Sequence, residues 1–203
     1  MILQMLFMDF KIEKLIKNRI SSSYNTIQKL IENCCLDISN GTDIIKTSLI
    51  NNGKIFWCGN GGSASQAQHF STEIIGGMNR HDLNPKPSIC LNADSTFLTA
   101  WSNDVGYDFI FSRQLQGIAS KNDVLVSIST SGNSKNIINA ILEAKKIGMK
   151  TIAMTGKNGG DIKNLSDIVI KVPSNNTQNI QESHLVIGHI ICEIIENFSI
   201  EKR

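Results

Sequence analysis

The chain has 203 residues, of which 41% are hydrophobic and 19% are charged, and its formal net charge is +2. This composition is typical of a globular protein with a full hydrophobic core and excludes a disordered chain. A nearly balanced charge gives no basis for a nucleic-acid or acidic-membrane partner. The five cysteines include no Cys-x-x-Cys pair, so we expect reduced thiols in a cytoplasmic protein.

The first 53 residues carry helical patterns and no convincing strand. Apolar residues recur at spacings of three and four between Asp9 and Asn52, which predicts two or three helices. Gly41-Thr42-Asp43 is typical of a helix end followed by a cap. Residues 1–10 are apolar but fewer than the roughly 20 that span a bilayer, and we interpret them as the start of a packed helix or as an extension. We expect residues 1–53 to pack on the rest of the chain and at an oligomer interface.

From residue 54 onward, short apolar runs alternate with helical patterns. This alternation predicts a parallel sheet with helices on both faces, that is, one α/β unit over residues 54–203, a three-layer α/β/α sandwich with a five-stranded parallel sheet. Strands are predicted at 55–58, 88–91, 124–128, 151–154 and 168–172, and helices at about 63–75, 94–103, 108–119, 134–147, 160–165 and 177–198. Ligands of such sheets bind at the carboxyl ends of the strands.

A glycine-rich segment follows the first predicted strand. Gly59-Asn60-Gly61-Gly62-Ser63, here called the glycine loop, connects that strand to a helix. A strand that enters such a turn and then a helix directs free backbone N–H groups and the positive helix end to one place. The glycine loop therefore predicts an anion site, with phosphate as its commonest occupant.

A second segment repeats this pattern after the third predicted strand. The serine loop is the segment Ser129-Thr130-Ser131-Gly132-Asn133-Ser134. A single serine would suffice to cap the following helix. Four hydroxyls in six residues exceed that need and favour a site for phosphate or a sugar phosphate.

The glycine loop also matches the dinucleotide-binding fingerprint, as Gly59-x-Gly61-x-x-Ala64. That fingerprint needs an acidic residue about 20 residues further on to hold a ribose. The nearest candidate, Asp94, lies about 30 residues beyond the glycines. The hydroxyls of the serine loop also suit a phosphate monoester better than a pyrophosphate, so a dinucleotide site is disfavoured.

Two polar pairs lie on predicted helices. His69 and Glu73 are four residues apart and share a helix face, and Gln181 and His189 lie on roughly one face of the last helix. Each alone is more often a surface or buried polar group, but two pairs indicate a converging site. Such side chains bind a divalent metal such as zinc, although Gln is an uncommon zinc ligand, or they supply an acid and a base without a metal. His184 points to another side of its helix, and we expect it to be structural.

Taken together, these segments resemble the phosphoheptose isomerases, a branch of the sugar-isomerase (SIS) domain superfamily. The resemblance runs from about Lys54 to the C-terminus. The serine loop is a broad signal of the superfamily, whereas the two polar pairs together are more specific for the enzyme branch. The further segments that carry it are Leu91-Asn92-Ala93-Asp94, Ser102-Asn103-Asp104, Thr155-Gly156-Lys157-Asn158-Gly159-Gly160 and Ile180-Gln181-Glu182.

The resemblance implies a flavodoxin-like SIS domain and a homotetramer with active sites at subunit boundaries. It implies conversion of sedoheptulose 7-phosphate to D-glycero-D-manno-heptose 7-phosphate through an enediol, the first step towards activated heptose for lipopolysaccharide or capsule. By the same carry-over, Glu73 and His189 are the acid/base pair, and one zinc ion per subunit lies among His69, Glu73, Gln181 and His189. The substrate-binding residues that it implies are Asn60, Gly61, Gly62, Ser63, Glu73, Asp104, Ser129, Thr130, Ser131, Ser134 and Gln181.

The sequence departs from the family pattern at two places. Two other functions also have to be considered. Gln178-Asn179 stands where the family often has Ala-Arg, and residues 76–87 form an unusual loop, which affects fine substrate preference. One alternative is a non-catalytic SIS-domain regulatory protein, such as a factor that associates with the replication initiator, but Glu73 and His189 disfavour it. The other is an isomerase of a shorter sugar phosphate such as arabinose 5-phosphate, whose relatives usually carry additional regulatory domains.

Overall fold

The computed structural model describes the backbone of residues 2–201 and the side chains of residues 11–198. Three helices precede the first strand, and strands and helices then alternate. The elements are α1 (Ile2–Gln28), α2 (Leu30–Asn33), α3 (Cys35–Ile50), β1 (Ile55–Gly59), α4 (Gly62–Gly76), β2 (Ser88–Cys90), α5 (Ser95–Asp104), α6 (Ile110–Ile118), β3 (Val124–Ile128), α7 (Lys135–Ile147), β4 (Lys150–Thr155), β5 (Ile168–Lys171) and α8 (Thr177–Glu201). Short 3₁₀ turns cover Tyr107–Phe109 and Asp161–Asn164.

The five strands form one parallel sheet in the order β2-β1-β3-β4-β5. This confirms the predicted sheet, and each strand begins and ends within one residue of its predicted bounds. The order reverses direction at β1 and β3, which pair along their whole length from Ile55 opposite Val124 to Gly59 opposite Ile128. A crevice opens outside the carboxyl ends of strands at such a reversal. The glycine loop and the serine loop follow these two strands.

Two hydrophobic cores lie on opposite faces of the sheet and confirm the three-layer sandwich. Alternate residues of β1 point to opposite faces, so Trp57 belongs to the core under α3, α4 and α8. Phe56 belongs to the core under α6 and α7. Both are fully buried, as expected of a parallel strand that is covered on both sides.

The predicted helix break at Gly41-Thr42-Asp43 is wrong, because α3 runs through these residues. The Thr42 hydroxyl donates to the carbonyl of Ile38 one turn earlier and so does not cap a new helix. Gly41 faces the sheet, where a Cβ would lie 3.6 Å from the side chain of Ile152. The helical path is interrupted earlier, at Cys34.

Helix α1 contacts α8 with one part of its length and leaves an apolar stripe exposed. Ile12, Leu15, Ile16 and Ile20 are each at least half exposed. The prediction that residues 1–10 begin a packed helix concerns side chains outside the described residues. Among the residues that the structure describes, no helix is both long and apolar enough to cross a membrane.

Candidate active site

The glycine loop makes a tight turn that leaves the start of α4 open. Gly61 has a φ of +55°, a region that favours glycine. A Cβ at Gly59 would lie 2.5 Å from the carbonyl oxygen of Ser63, so no larger residue fits there. By contrast, no described atom lies within 4 Å of the place of a Gly61 Cβ. The N-terminus of α4 therefore faces open space at the carboxyl edge of the sheet, as an anion site requires.

Asn60 is held rigidly between two elements. Its amide pairs reciprocally with the amide of Asn136 on α7, at 2.9 and 2.8 Å. The hydroxyl of Tyr107 also donates to Asn60 Oδ1 at 2.8 Å. Asn136 and Tyr107 are therefore site-supporting residues that the sequence analysis missed.

The serine loop keeps a hydroxyl free of capping. Ser129 Oγ accepts from the N–H of Gly132 at 3.1 Å, and Ser131 Oγ accepts from the N–H of Asn133 at 3.2 Å. Ser134 is the N-cap residue of α7 but makes no capping hydrogen bond with its side chain. Its Oγ lies 3.5 Å from Ser129 Oγ. The Ser134 hydroxyl at this helix start is thus available to a ligand.

A cavity of about 320 Å³ separates the serine loop from the start of α8. It is lined by Thr130 and Ser131, by residues 156–160 after β4, and by Ile180. Pockets for small ligands are typically about 300–1,000 Å³, so a sugar phosphate fits this volume. The loop after β4 is tied to the serine loop because the N–H of Gly156 donates to the carbonyl of Thr130 at 3.1 Å.

Three titratable side chains converge where α4 meets α8. His69 Nε2 lies 2.9 Å from Glu73 Oε1 and 3.2 Å from His189 Nε2. His189 Nε2 lies 3.5 Å from the same Glu73 oxygen. The two helices approach closely because residue 188 is glycine, where a Cβ would lie 2.0 Å from Cζ of Phe70. The fold therefore brings together side chains that are 120 residues apart in the chain.

The donor set of this cluster fits a zinc ion. The candidate ligand atoms of His69, Glu73 and His189 all lie within 4.8 Å of one another. Two imidazole nitrogens and a carboxylate are the protein ligands of many catalytic zinc sites. Both histidines contact Glu73 Oε1, so the buried Oε2 of the carboxylate remains as a second donor oxygen for a metal.

Gln181 lies on the glycine loop. A Cβ at Gly62 would lie 2.7 Å from Gln181 Nε2, and Gln66 Nε2 donates to the backbone carbonyl of Gln181 at 2.6 Å. Its role as a metal ligand stays a prediction. Asp104 ends α5, is exposed, and accepts from Asn103 Nδ2 at 2.8 Å, and its contact with a sugar also stays a prediction.

Asp94 and His184 have structural partners. The Asp94 carboxylate accepts from the N–H of Phe97 at 2.9 Å and caps α5. This capping role explains the acidic residue without a ribose-binding function in a dinucleotide site. His184 is fully buried, with Nε2 3.3 Å from the carbonyl oxygen of Thr155. Burial lowers the pKa of His184 to about 4, so its imidazole is neutral at physiological pH.

The unusual loop at residues 76–87 is anchored by α8. Glu196 Oε1 accepts from the backbone N–H groups of Met78, Asn79 and Arg80, each at 2.9 Å. Burial alone would raise the pKa of Glu196, but these backbone hydrogen bonds outweigh it and lower the pKa. The loop that follows Glu73 is thus fixed to the same helix that carries His189.

The fold and the two loops at the sheet reversal define a SIS-domain protein, and the family model described as "SIS domain" matches residues 20–156. The phosphoheptose isomerase of Aliarcobacter butzleri is 47% identical over 85% of this chain and 90% of its own length. The chain belongs to the phosphoheptose isomerase family.

Solved structures agree with this assignment. The phosphoheptose isomerase of Neisseria gonorrhoeae superposes with a TM-score of 0.87 at 35% identity, over 92% of this chain and 99% of that one. The enzyme from Francisella tularensis gives a TM-score of 0.88 at 35% identity, over 91% and 97% of the two chains. Both similarities include a large part of the N-terminal helices as well as the sheet, because they cover over nine-tenths of this chain.

Proposed function

We propose that this protein is the aldose–ketose isomerase that interconverts sedoheptulose 7-phosphate and D-glycero-D-manno-heptose 7-phosphate. The observation that carries the proposal is the convergence of His69, Glu73 and His189, in a chain of the phosphoheptose isomerase family. A regulatory SIS-domain protein has no need for a carboxylate and two imidazoles in mutual contact.

The reaction moves a proton between C1 and C2 through an enediol. One group must therefore remove a proton from carbon, and another must polarise or protonate the substrate oxygen. Glu73 acts as the base, and His189, within 3.5 Å of it, moves the proton at the oxygen. Carboxylate and imidazole are both effective at this task near neutral pH. His69 contacts both groups and orients the Glu73 carboxylate between them.

His69, Glu73 and His189, together with Gln181, would hold a zinc ion. When bound, zinc polarises the substrate carbonyl and stabilises the negative charge that develops on it. The three contacting side chains are the part of this proposal that the geometry supports, since their donor atoms already converge.

The phosphate end of the sugar is held by the two loops. Ser63, Ser129, Thr130, Ser131 and Ser134 supply hydroxyls, and Gly61 and Gly62 supply the open backbone at the start of α4. Asn60 is fixed beside them by its two partners, and Asp104 contacts the sugar. Holding a remote phosphate keeps the reacting carbons in register, so this binding contributes to the rate as well as to affinity.

The active assembly is a homotetramer with active sites at subunit boundaries. Two observations support this: the apolar stripe on α1 is exposed, and α5 has no buried residue in the single chain. Tyr107, which contacts Asn60, is also half exposed next to α5, so a second chain would cover the edge of the site. We place residues 1–53 at this interface.

The reaction takes place in the cytoplasm, and its product feeds activated heptose for lipopolysaccharide or capsule. All five cysteines are free thiols, which is consistent with a reducing compartment.

The test is an isomerisation assay on the purified protein with sedoheptulose 7-phosphate, with and without a chelator. We expect an aldoheptose 7-phosphate to form, activity to fall on chelation, and added Zn²⁺ to restore it. Full activity after complete metal removal would reject the proposed role of zinc but would be compatible with Glu73 and His189 as a metal-free acid/base pair. Absence of any isomerisation by zinc-loaded protein would reject the enzyme and favour the regulatory alternative.

A further inference from the structure

The first turn of α8 contacts the glycine loop directly and is linked to the serine loop through the loop after β4. Ile180 packs on the loop after β4, where a Cβ at Gly156 would lie 2.6 Å from Ile180 Cδ1, and Gly156 is in turn bonded to Thr130 of the serine loop. The next residue, Gln181, lies against Gly62 of the glycine loop. Any shift of this turn therefore changes the distance between the two loops.

The residues on either side of this pair are held by α1. Arg19 donates through Nη1 to Asn179 Oδ1 and through Nη2 to Glu182 Oε1, the latter at 2.7 Å. Asn179 is buried and donates back to α1, to the hydroxyls of Ser22 at 2.8 Å and Thr26 at 3.2 Å. The guanidinium thus spans one turn of α8 with two separate N–H groups, a geometry that a lysine cannot reproduce.

This contact differs from an ordinary surface ion pair. Lys17 and Glu13 form such a pair on the same helix, with side chains 72% and 60% exposed, and pairs of this kind contribute little. Arg19, in contrast, bonds a buried amide and a carboxylate whose other oxygen, Glu182 Oε2, is also buried. Loss of Arg19 would leave polar atoms at the α1–α8 contact without their partner.

We propose that Arg19 is a positioning residue, which holds the first turn of α8 against the glycine loop and the loop after β4, and so sets the affinity for the phosphorylated substrate. The proposal rests on the proposed function and assigns a role in the site to the N-terminal helix. Arg19 acts through Asn179 and Glu182, and the groups that contact substrate remain those of the two loops.

The experiment compares steady-state kinetics of R19A, R19K and K17A with the wild type. We expect R19A to raise KM for sedoheptulose 7-phosphate about tenfold and to change kcat less than about twofold, because loosened loops weaken binding while His69, Glu73 and His189 stay in place. R19K should be intermediate, since an ammonium group reaches one acceptor at a time. K17A removes a charge two residues away and should match the wild type.

A second variant keeps the test independent of the folding of R19A. E182A removes one of the two acceptors of Arg19 and should also raise KM. The KM of the double variant R19A/E182A should not exceed that of R19A, because both changes remove the same contact. An unchanged KM in R19K and E182A overturns the proposal, as does a fall in apparent kcat at unchanged KM that follows the loss of folded protein. All of these outcomes are measured against an active wild type. If the zinc-loaded wild type is itself inactive, the proposed function fails, and that result is distinct from a failure of the Arg19 proposal.

Discussion

Glu73 is the residue on which the proposed chemistry depends most directly. E73Q keeps the shape of the side chain but removes the base, so we expect turnover to fall about 100-fold or more while sugar-phosphate binding persists. The measurement is kcat together with the dissociation constant of the sugar phosphate from calorimetry.

Glu193 supplies a matched control for this substitution. It lies one turn beyond His189 on α8 and is exposed, so E193Q makes the same chemical change outside the cluster and should keep wild-type turnover. Equal turnover in E73Q and E193Q would remove Glu73 from the mechanism.

His184 makes the stability of the protein depend on pH. Its folded pKa of about 4 lies below the ordinary value of 6.5 because of burial, so the unfolded chain binds a proton more readily. The stabilisation is therefore complete above about pH 6.5 and is lost as the pH falls towards 4, by up to about 3 kcal/mol. We expect urea unfolding between pH 7 and pH 4.5 to show this decline.

H184Q isolates the contribution of this imidazole. A glutamine amide can still donate to the carbonyl of Thr155 but does not titrate. The free energy of unfolding of H184Q should therefore fall less than that of the wild type over the same pH interval. Glu196, with its lowered pKa, contributes a slope of the same sign to both proteins and cancels in the comparison. Parallel pH curves for the two proteins would contradict the prediction.

At the scale of elements, the packing of α4 on α8 brings His69 and Glu73 into contact with His189. A side chain at Gly188 would collide with the ring of Phe70, so G188A must separate the helices that carry Glu73 and His189. We expect a destabilisation of about 1–3 kcal/mol and a clear loss of activity, measured by urea unfolding and by kcat.

G117A is the control for a glycine in a helix. Gly117 lies in α6, where an added Cβ meets no described atom within 4 Å, so this change should be neutral or stabilising by up to about 1 kcal/mol. If G188A were as well tolerated as G117A, close helix packing would not be what assembles the site.

The strands were predictable from the sequence because short apolar runs bounded by glycine and polar residues have few other interpretations. The false break at Gly41 shows the limit of local signals: the residue type suggests a turn, but the sheet beneath it and the backward hydrogen bond of Thr42 keep the helix intact. The sequence around Gly41 does not show that Ile152 of β4, which lies far along the chain, packs beneath it.

The site was predictable to different degrees for a similar reason. His69 and Glu73 share a helix face by spacing alone, and the resemblance to a family joined them to His189. Arg19 and Asn136 carried no such signal, because their partners lie 160 and 76 residues away. Only the folded chain shows that Arg19 contacts α8 and that Asn136 contacts the glycine loop.

At the scale of the whole molecule, the exposed stripe on α1 indicates how chains assemble. Replacing Leu15 by Glu places a charge within the stripe, and we expect L15E to lower the mass measured by light scattering below that of a tetramer, because burying an unpaired charge is costly. Activity should fall with it if a second chain completes the site.

Ser21 provides the control on the same helix. It is exposed and lies about 140° around the helix from Ile16, so S21E adds the same charge outside the stripe and should leave the assembly intact. A tetramer that survives L15E would mean that the stripe on α1 is not the contact.

Helix α8 is unbroken from Thr177 to Glu201, with Gln181 on the glycine loop near one end and His189 two turns further on. A ligand that changes the tilt of α8 at the glycine loop would therefore also change the spacing of the proposed metal ligands. Such linkage would be reciprocal: if inorganic phosphate tightened the binding of zinc by some factor, zinc would tighten the binding of phosphate by the same factor.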